Sequence, residues 1–308
     1  MDLRGCLYVL AAAFMWGLIG LISQYIFAEG ISPLEAAFWR AGFGWVFFLI
    51  HALRNGQARI SPVDTLPLLC FGLVCISVFY GSYQMAISKN GVALAAVLLY
   101  TAPAWVALLS RAVLGEALTP LKLACVVMTV AGVAAISLGP QLTGGGADLD
   151  LEPLGLLIGL IAGFTYALYY IFGKKYLTKY DTPTIFVYAM PVGALSLLPF
   201  VEFAHKTPTA WILLLLLAAV TSYGAFSAYY AGLKRLEATR AAVLATFEPV
   251  VAAVLAYIFF GERFGLWGYG GSILILAAVF LVVVGGIRRG SSSAPARAMI
   301  STKHEERK

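Results

Sequence analysis

Ten apolar stretches, each about the length of a membrane-crossing helix and separated by short polar breaks, constrain this chain more than any other feature. They lie near residues 5–28, 33–53, 63–88, 92–114, 120–138, 153–174, 183–203, 208–233, 239–260 and 265–287. A helix crosses a hydrocarbon core of ~30 Å in roughly 20 residues, whereas a barrel strand needs about half that length and strict alternation. In lipid every backbone polar group must be satisfied within the structure, so long apolar stretches without alternation are helices. Composition agrees: 61% of the 308 residues are hydrophobic and 12% charged, against about 25% charged in soluble domains. The expected fold class is all-α and integral to the membrane, with ten transmembrane helices. The first stretch continues for more than 20 residues after Arg4, too long for a signal-peptide core, and is expected to be the first span.

Charge orients the chain. With the N-terminus cytoplasmic, the inner segments hold Arg4, Arg54, Arg59, Arg111, Lys122, Lys174, Lys175, Lys179, Lys234, Arg235, Arg240 and six cations of the tail. The outer segments hold Lys89, Lys206 and Arg263, while Asp148, Asp150 and Glu152 sit in the fifth loop. The positive-inside rule therefore predicts both termini in the cytoplasm, in a cell inner (plasma) membrane. The net charge of +6 is a topology signal, and no nucleic-acid partner is expected. Cys6, Cys70, Cys75 and Cys125 fall inside apolar stretches without metal-ligand spacing and read as packing residues. Residues 290–308 carry no periodic apolar pattern and read as a disordered cytoplasmic tail.

An internal repeat emerges when residues 91–116 are laid on 237–262, an offset of 146. Nine of the 26 positions are identical: Ala95 to Leu98 on Ala241 to Leu244, Pro103 on Pro249, Ala107 on Ala253, Leu109 on Leu255, and Gly115-Glu116 on Gly261-Glu262. The same offset places Tyr83 on Tyr229 and Tyr80 on Phe226. The chain accordingly divides into a first five-helix repeat (1–140), an external loop (141–152), a second repeat (153–289) and the tail. Five is odd, so the second copy enters the membrane from the opposite side. Two inverted repeats (5+5) of this kind commonly form transporters whose substrate sits near the midplane.

The segments "AAVLLYTAPAWVALLSRAVLGE" and "AAVLATFEPVVAAVLAYIFFGE", with "FWRAGFG" in the second stretch, resemble the drug/metabolite transporter superfamily and its ten-helix EamA-type members. The abundance of tyrosine and tryptophan is also similar to YddG-type exporters of aromatic and neutral amino acids. The resemblance implies a secondary transporter exporting small amphipathic metabolites, the alternatives being a multidrug or organic-cation exporter and a sugar-nucleotide-type carrier.

Pro103 and Pro249 each remove a backbone hydrogen bond in mid-helix and are candidate hinges, with simple packing as the competing reading. Aromatic residues on the helices expected to line a central cavity are Trp16, Tyr80, Tyr83, Tyr100, Trp105, Tyr166, Tyr169, Tyr170, Tyr223, Phe226, Tyr230 and Phe247; Gln84 and Ser227 are polar neighbours. Two ionisable residues fall within the hydrocarbon, Arg40 and Glu248, and buried charge in a membrane marks function by default. Glu248 would attract a substrate ammonium and Arg40 a carboxylate; the competing readings are that Arg40 snorkels to the interface or bonds helix-terminal carbonyls, and that Glu248 caps backbone freed by Pro249. Glu116 and Glu262, after glycines at helix ends, read as loop or capping residues. No HExxH, Gly-x-Ser-x-Gly or acidic metal cluster occurs, so neither an enzyme nor a cofactor is expected. The expected partners are the lipid bilayer and a small-molecule substrate such as an amino acid, and the protein is expected to be a monomer.

Overall fold

The computed structural model describes residues 2–142, 152–260 and 265–292, with side chains at all of these except 84, 88, 90–93, 140–142, 256, 260 and 285–292. Most of the external loop, Glu262, Arg263 and the bulk of the tail lie outside the described residues.

Ten helical spans cross the fold: α1 (Leu3–Ala28), α2 (Pro33–Arg54), α3 (Pro62–Ile87), α4 (Leu94–Leu114), α5 (Pro120–Gly139), α6 (Pro153–Tyr176), α7 (Thr182–Phe200), α8 (Pro208–Leu233), α9 (Ala238–Phe259) and α10 (Leu266–Val284). Among the described residues there is no strand. Most begin at a proline or one residue before it, where the missing N–H costs nothing because the first turn has no internal acceptor. Span α7 closes with a 3-10 turn at Leu198–Phe200, three residues earlier than expected, since Pro199 cannot continue the α-helical ladder.

The turn between α3 and α4 is itself helical, with continuous helix from Phe79 to Leu99. Neighbours show that the chain nevertheless reverses there. The Phe79 ring stacks on Tyr166, 5.1 Å between centroids; Lys89 pairs with Glu152 at 2.7 Å; and Leu98 lies against Gly159 and Gly163. A straight helix would carry Leu98 about 28 Å beyond Phe79, far past the short stretch of α6 between Gly163 and Tyr166.

Lipid supplies no hydrophobic drive for helix association, so close approach through small residues has to substitute. Most of the approaches join the first five spans to the second five. A side chain at Gly163 would sit 2.5 Å from the Leu98 carbonyl, and one at Gly132 of α5 would sit 2.8 Å from the Gly271 carbonyl of α10. Along α6, Gly159 and Gly163, four residues apart on one face, both lie against Leu98.

Four irregularities recur at the offset of 146. Span α3 carries a π-helical segment at Leu73–Val78, and α8 carries one at Ala218–Gly224. Span α4 breaks at Tyr100 and Thr101, and α9 breaks at Thr246 and Phe247. Each break lies just before its proline. Pro103 cannot donate to the Leu99 carbonyl, nor Pro249 to that of Ala245. The threonine at each break bends back instead: Thr101 Oγ1 donates to Leu98 O (2.6 Å) and Thr246 Oγ1 to Val243 O (2.6 Å). The two candidate hinges are therefore the sites of real interruptions, with half-helices Ala102–Leu114 and Glu248–Phe260 beyond them.

Candidate functional site

A cavity of about 270 Å³ lies at the centre of the bundle. Stripes at helical spacing bring its walls together: Trp16 and Gly20 from α1, Cys75, Phe79, Tyr80 and Tyr83 from α3, and Tyr166 and Tyr169 from α6. Ser222 and Phe226 come from α8 and Met190 from α7, while the breaks contribute Tyr100 of α4 and Glu248 of α9. Arg40 of α2 completes the lining.

The two ionisable groups have different settings. Arg40 stays inside the bundle: Nε donates to Ser222 Oγ (3.3 Å) and Nη2 to the Thr221 carbonyl (3.2 Å). Thr221 O also accepts Trp16 Nε1 at 3.1 Å. Thr221 and Ser222 belong to the π segment of α8, where an inserted residue disturbs the regular ladder and turns backbone and hydroxyl groups toward side chains. The snorkelling reading of Arg40 is thereby excluded. Two of the five guanidinium N–H groups are engaged by described residues, and Arg40 keeps donors for the cavity. Glu248 meets the Tyr100 hydroxyl in hydrogen-bonding geometry and feels the Arg40 charge. Its position on the first turn of a half-helix also suits a carboxylate, because the unpaired N–H groups there carry partial positive charge.

Of the other expected site residues, Trp16, Tyr80, Tyr83, Tyr100, Tyr166, Tyr169 and Phe226 line the cavity, and six do not, among them Tyr230, which is buried against Phe186. Trp105 packs edge-on against Phe164 at 5.5 Å, wedging α4 from α6. Tyr170 is buried behind Tyr166, against Tyr229. Ser227 lies beyond Phe226 on α8 with its hydroxyl buried. Phe247 sits in the α9 break and packs into the core without reaching the cavity. Tyr223 faces away, its hydroxyl 2.7 Å from His51 Nδ1 in a separate pocket with Phe47, Arg54 and Asn55. The Gln84 side chain lies outside the described residues. Sequence reasoning missed Ser222, Met190, Ile76 and Cys75 as lining residues. Cys75 is thus more than packing, and Cys70 is exposed on the bundle surface, whereas Cys6 and Cys125 are buried.

Polar groups concentrate at the two ends of the bundle. At the end carrying the start of α1, called here the terminal face, Arg235 pairs with Asp2 (2.6 Å), Lys234 with Asp181 (2.7 Å), Lys179 with Asp64 (3.2 Å) and Lys122 with Glu237 (3.1 Å). At the opposite end Lys206 pairs with the fully buried Glu35 at 2.5 Å. Between cavity and terminal face the spans are filled by stacked aromatics, among them Tyr169, Phe186, Phe226, Tyr229 and Tyr230.

A ten-span bundle with an aromatic-walled central cavity and interrupted helices defines a multi-pass membrane transporter. The EamA-like transporter family pattern matches the chain twice, over residues 3–138 and 153–284. The chain belongs to that family. It is 29% identical to an uncharacterized transporter of Archaeoglobus fulgidus over 86% of this chain and 92% of the relative. It is 26% identical to the uncharacterized inner membrane transporter YicL of Salmonella typhimurium over 94% and 98%. A solved crystal structure at 18% identity superimposes with a TM-score of 0.81 over 94% of this chain and 99% of its own, the same fold.

Proposed function

We propose that the protein is a secondary transporter that exports small zwitterionic, amphipathic metabolites, foremost aromatic and neutral amino acids, by alternating access between two inverted repeats. The observation that carries this reading is the placement of Arg40 and Glu248, one from each half, on a single aromatic-walled cavity. An amino acid presents a carboxylate, an ammonium and a side chain; Arg40 suits the first, Glu248 the second and the rings of Tyr80, Tyr83 and Tyr166 the third. A volume near 270 Å³ is at the small end of the ~300–1,000 Å³ range of ligand sites, which favours a metabolite over a large drug. An organic cation would suit Glu248 and the rings but would be repelled by Arg40. A sugar nucleotide would need several cations, and among the described residues Arg40 alone lines the cavity as one. The cation-rich terminal face supports a cytoplasmic location for both termini and an inner-membrane setting. Residues of both halves of one chain line the cavity, which supports a monomer as the working unit.

The test is flux of labelled amino acids and of lipophilic cations in proteoliposomes, with Glu248→Gln beside the parent. Amino-acid flux displaced by neutral amino acids, and reduced about tenfold or more by Glu248→Gln, is the expected result. Unchanged amino-acid kinetics in that variant, or displacement by lipophilic cations alone, would overturn the assignment.

A further inference from the structure

The half-helix Ala238–Ala245 runs from the terminal face to the α9 break, where Glu248 enters the cavity. Its first turn is held by a carboxylate from the other half of the chain. Gly115 takes a left-handed conformation (φ 69°) at the end of α4 and turns Glu116 back across the bundle. The Glu116 carboxylate accepts Ala238 N (2.5 Å), Thr239 N (3.3 Å) and Thr239 Oγ1 (3.1 Å). Thr239 Oγ1 also pairs with Ser110 Oγ at 2.8 Å. Lys122, almost wholly buried, lies 4.0 Å from Glu116 and 3.1 Å from Glu237. A carboxylate here satisfies N–H groups that have no partner inside their own helix and meets the positive end of its dipole.

A second, independent observation lies behind this contact. The hydroxyls of Ser227, Tyr229 and Tyr230 are buried between the cavity and the terminal face, with no hydrogen-bond partner among the described residues. Buried unpaired hydroxyls are costly, and three on one stretch of α8 need an occasion on which they are satisfied. The repeat supplies one, because Tyr229 is the counterpart of Tyr83, which lines the open cavity.

We propose that Glu116 is the latch of a gate on the terminal face, and that its release opens a vestibule in which the Ser227, Tyr229 and Tyr230 hydroxyls meet the same solute or water. The proposal rests on the transport reading above and adds the group that holds one side shut. With the cap in place the half-helix is pinned to α4 and the aromatics stay packed; with the cap released it can swing about the Thr246–Phe247 break, whose far side holds Glu248.

The test replaces Cys6, Cys70, Cys75 and Cys125 by alanine, introduces Ser227→Cys, and measures its modification by a charged, membrane-impermeant methanethiosulfonate reagent from each side of oriented vesicles. The parent is expected to be protected from the terminal side. Glu116→Gln keeps the size and removes the charge; it is expected to speed terminal-side modification roughly tenfold, a change typical of conformational coupling. Thr239→Val, which removes a single hydroxyl, is expected to do so more weakly and serves if the first variant fails to fold. Glu152→Gln at the opposite end is expected to leave the rate unchanged. Rates within twofold of the parent in both latch variants, in monodisperse protein, overturn the latch. The readout needs no substrate, and flux is measured separately in the protein with its own four cysteines: accelerated labelling without amino-acid flux there supports the latch and sinks the substrate assignment, and flux with unchanged labelling does the reverse.

Discussion

The Glu35–Lys206 pair offers the sharpest test of the energetic reasoning, because the two partners are unequally trapped. Glu35 sits on the first turn of α2, five residues before Arg40, and its side chain is 0% exposed. It accepts from Lys206 Nζ (2.5 Å), Trp39 Nε1 (3.2 Å) and Ala204 N (3.0 Å). Lys206 lies in a loop, 8% exposed, with the rings of Phe203, Trp211 and Trp39 at 5.3, 5.6 and 5.7 Å and the Ala204 carbonyl at 2.6 Å. Lys206→Met strands a buried carboxylate, and removing one partner of a buried pair costs about 3–5 kcal/mol. Glu35→Gln leaves an ammonium that keeps its carbonyl and its rings and can reach water, so the expected loss is about 1–2 kcal/mol, nearer that of one charged hydrogen bond. The double variant has no stranded charge and is expected to fall within about 1 kcal/mol of Glu35→Gln. Denaturant unfolding of the detergent-solubilised protein, followed by tryptophan fluorescence, measures all four proteins. Equal losses for the two single variants, or a double variant showing their sum, would refute the argument that burial of the carboxylate dominates.

Two glycines should separate packing from function. Gly20 lines the cavity with open space around it, so Gly20→Leu is expected to keep the thermal stability and lose most of the flux; Gly163→Ala would drive a methyl to 2.5 Å from the Leu98 carbonyl and is expected to lower stability by about 1–3 kcal/mol. Unchanged stability in Gly163→Ala and unchanged flux in Gly20→Leu would each contradict the structure. At the terminal face, the Arg235 guanidinium hydrogen-bonded to Asp2 holds that carboxyl below its ordinary value of 3.8. A depressed value means the tether is fully present above about pH 4 and is lost as pH falls through the lower folded value. Protection of the amides at the start of α1, taken relative to their intrinsic exchange rate at each pH, is therefore expected to fall on acidification below about pH 4 in the parent and to be insensitive to that change in Asp2→Asn.

How much of this was legible in the sequence depends on whether the deciding interaction is local. The ten spans follow from apolar length, and the breaks in α4 and α9 follow from Pro103 and Pro249, whose missing N–H groups act within one turn. Glu248 was legible because a carboxylate beside that proline has no place in lipid unless something receives it. The π segments were not legible: AAVTSYG in α8 carries no sign that one residue is inserted. That insertion decides the site. One extra residue rotates the later turns of the helix by about 100° relative to the earlier ones, which turns Ser222 toward Arg40 and sends Tyr223 to the opposite side, against Phe48 and His51. Counting along an ideal helix therefore selected the aromatic residue and passed over the serine beside it. The same insertion turns the Thr221 carbonyl toward Trp16 and Arg40 together, so two cavity residues of very different chemistry share one acceptor. A substitution that regularises the segment, by deleting one residue between Ala218 and Gly224, is expected to return Tyr223 to the cavity face and to release Arg40. Loss of flux with retained folding is the expected result, whereas a deletion variant with normal flux would show that the π segment does not position the site.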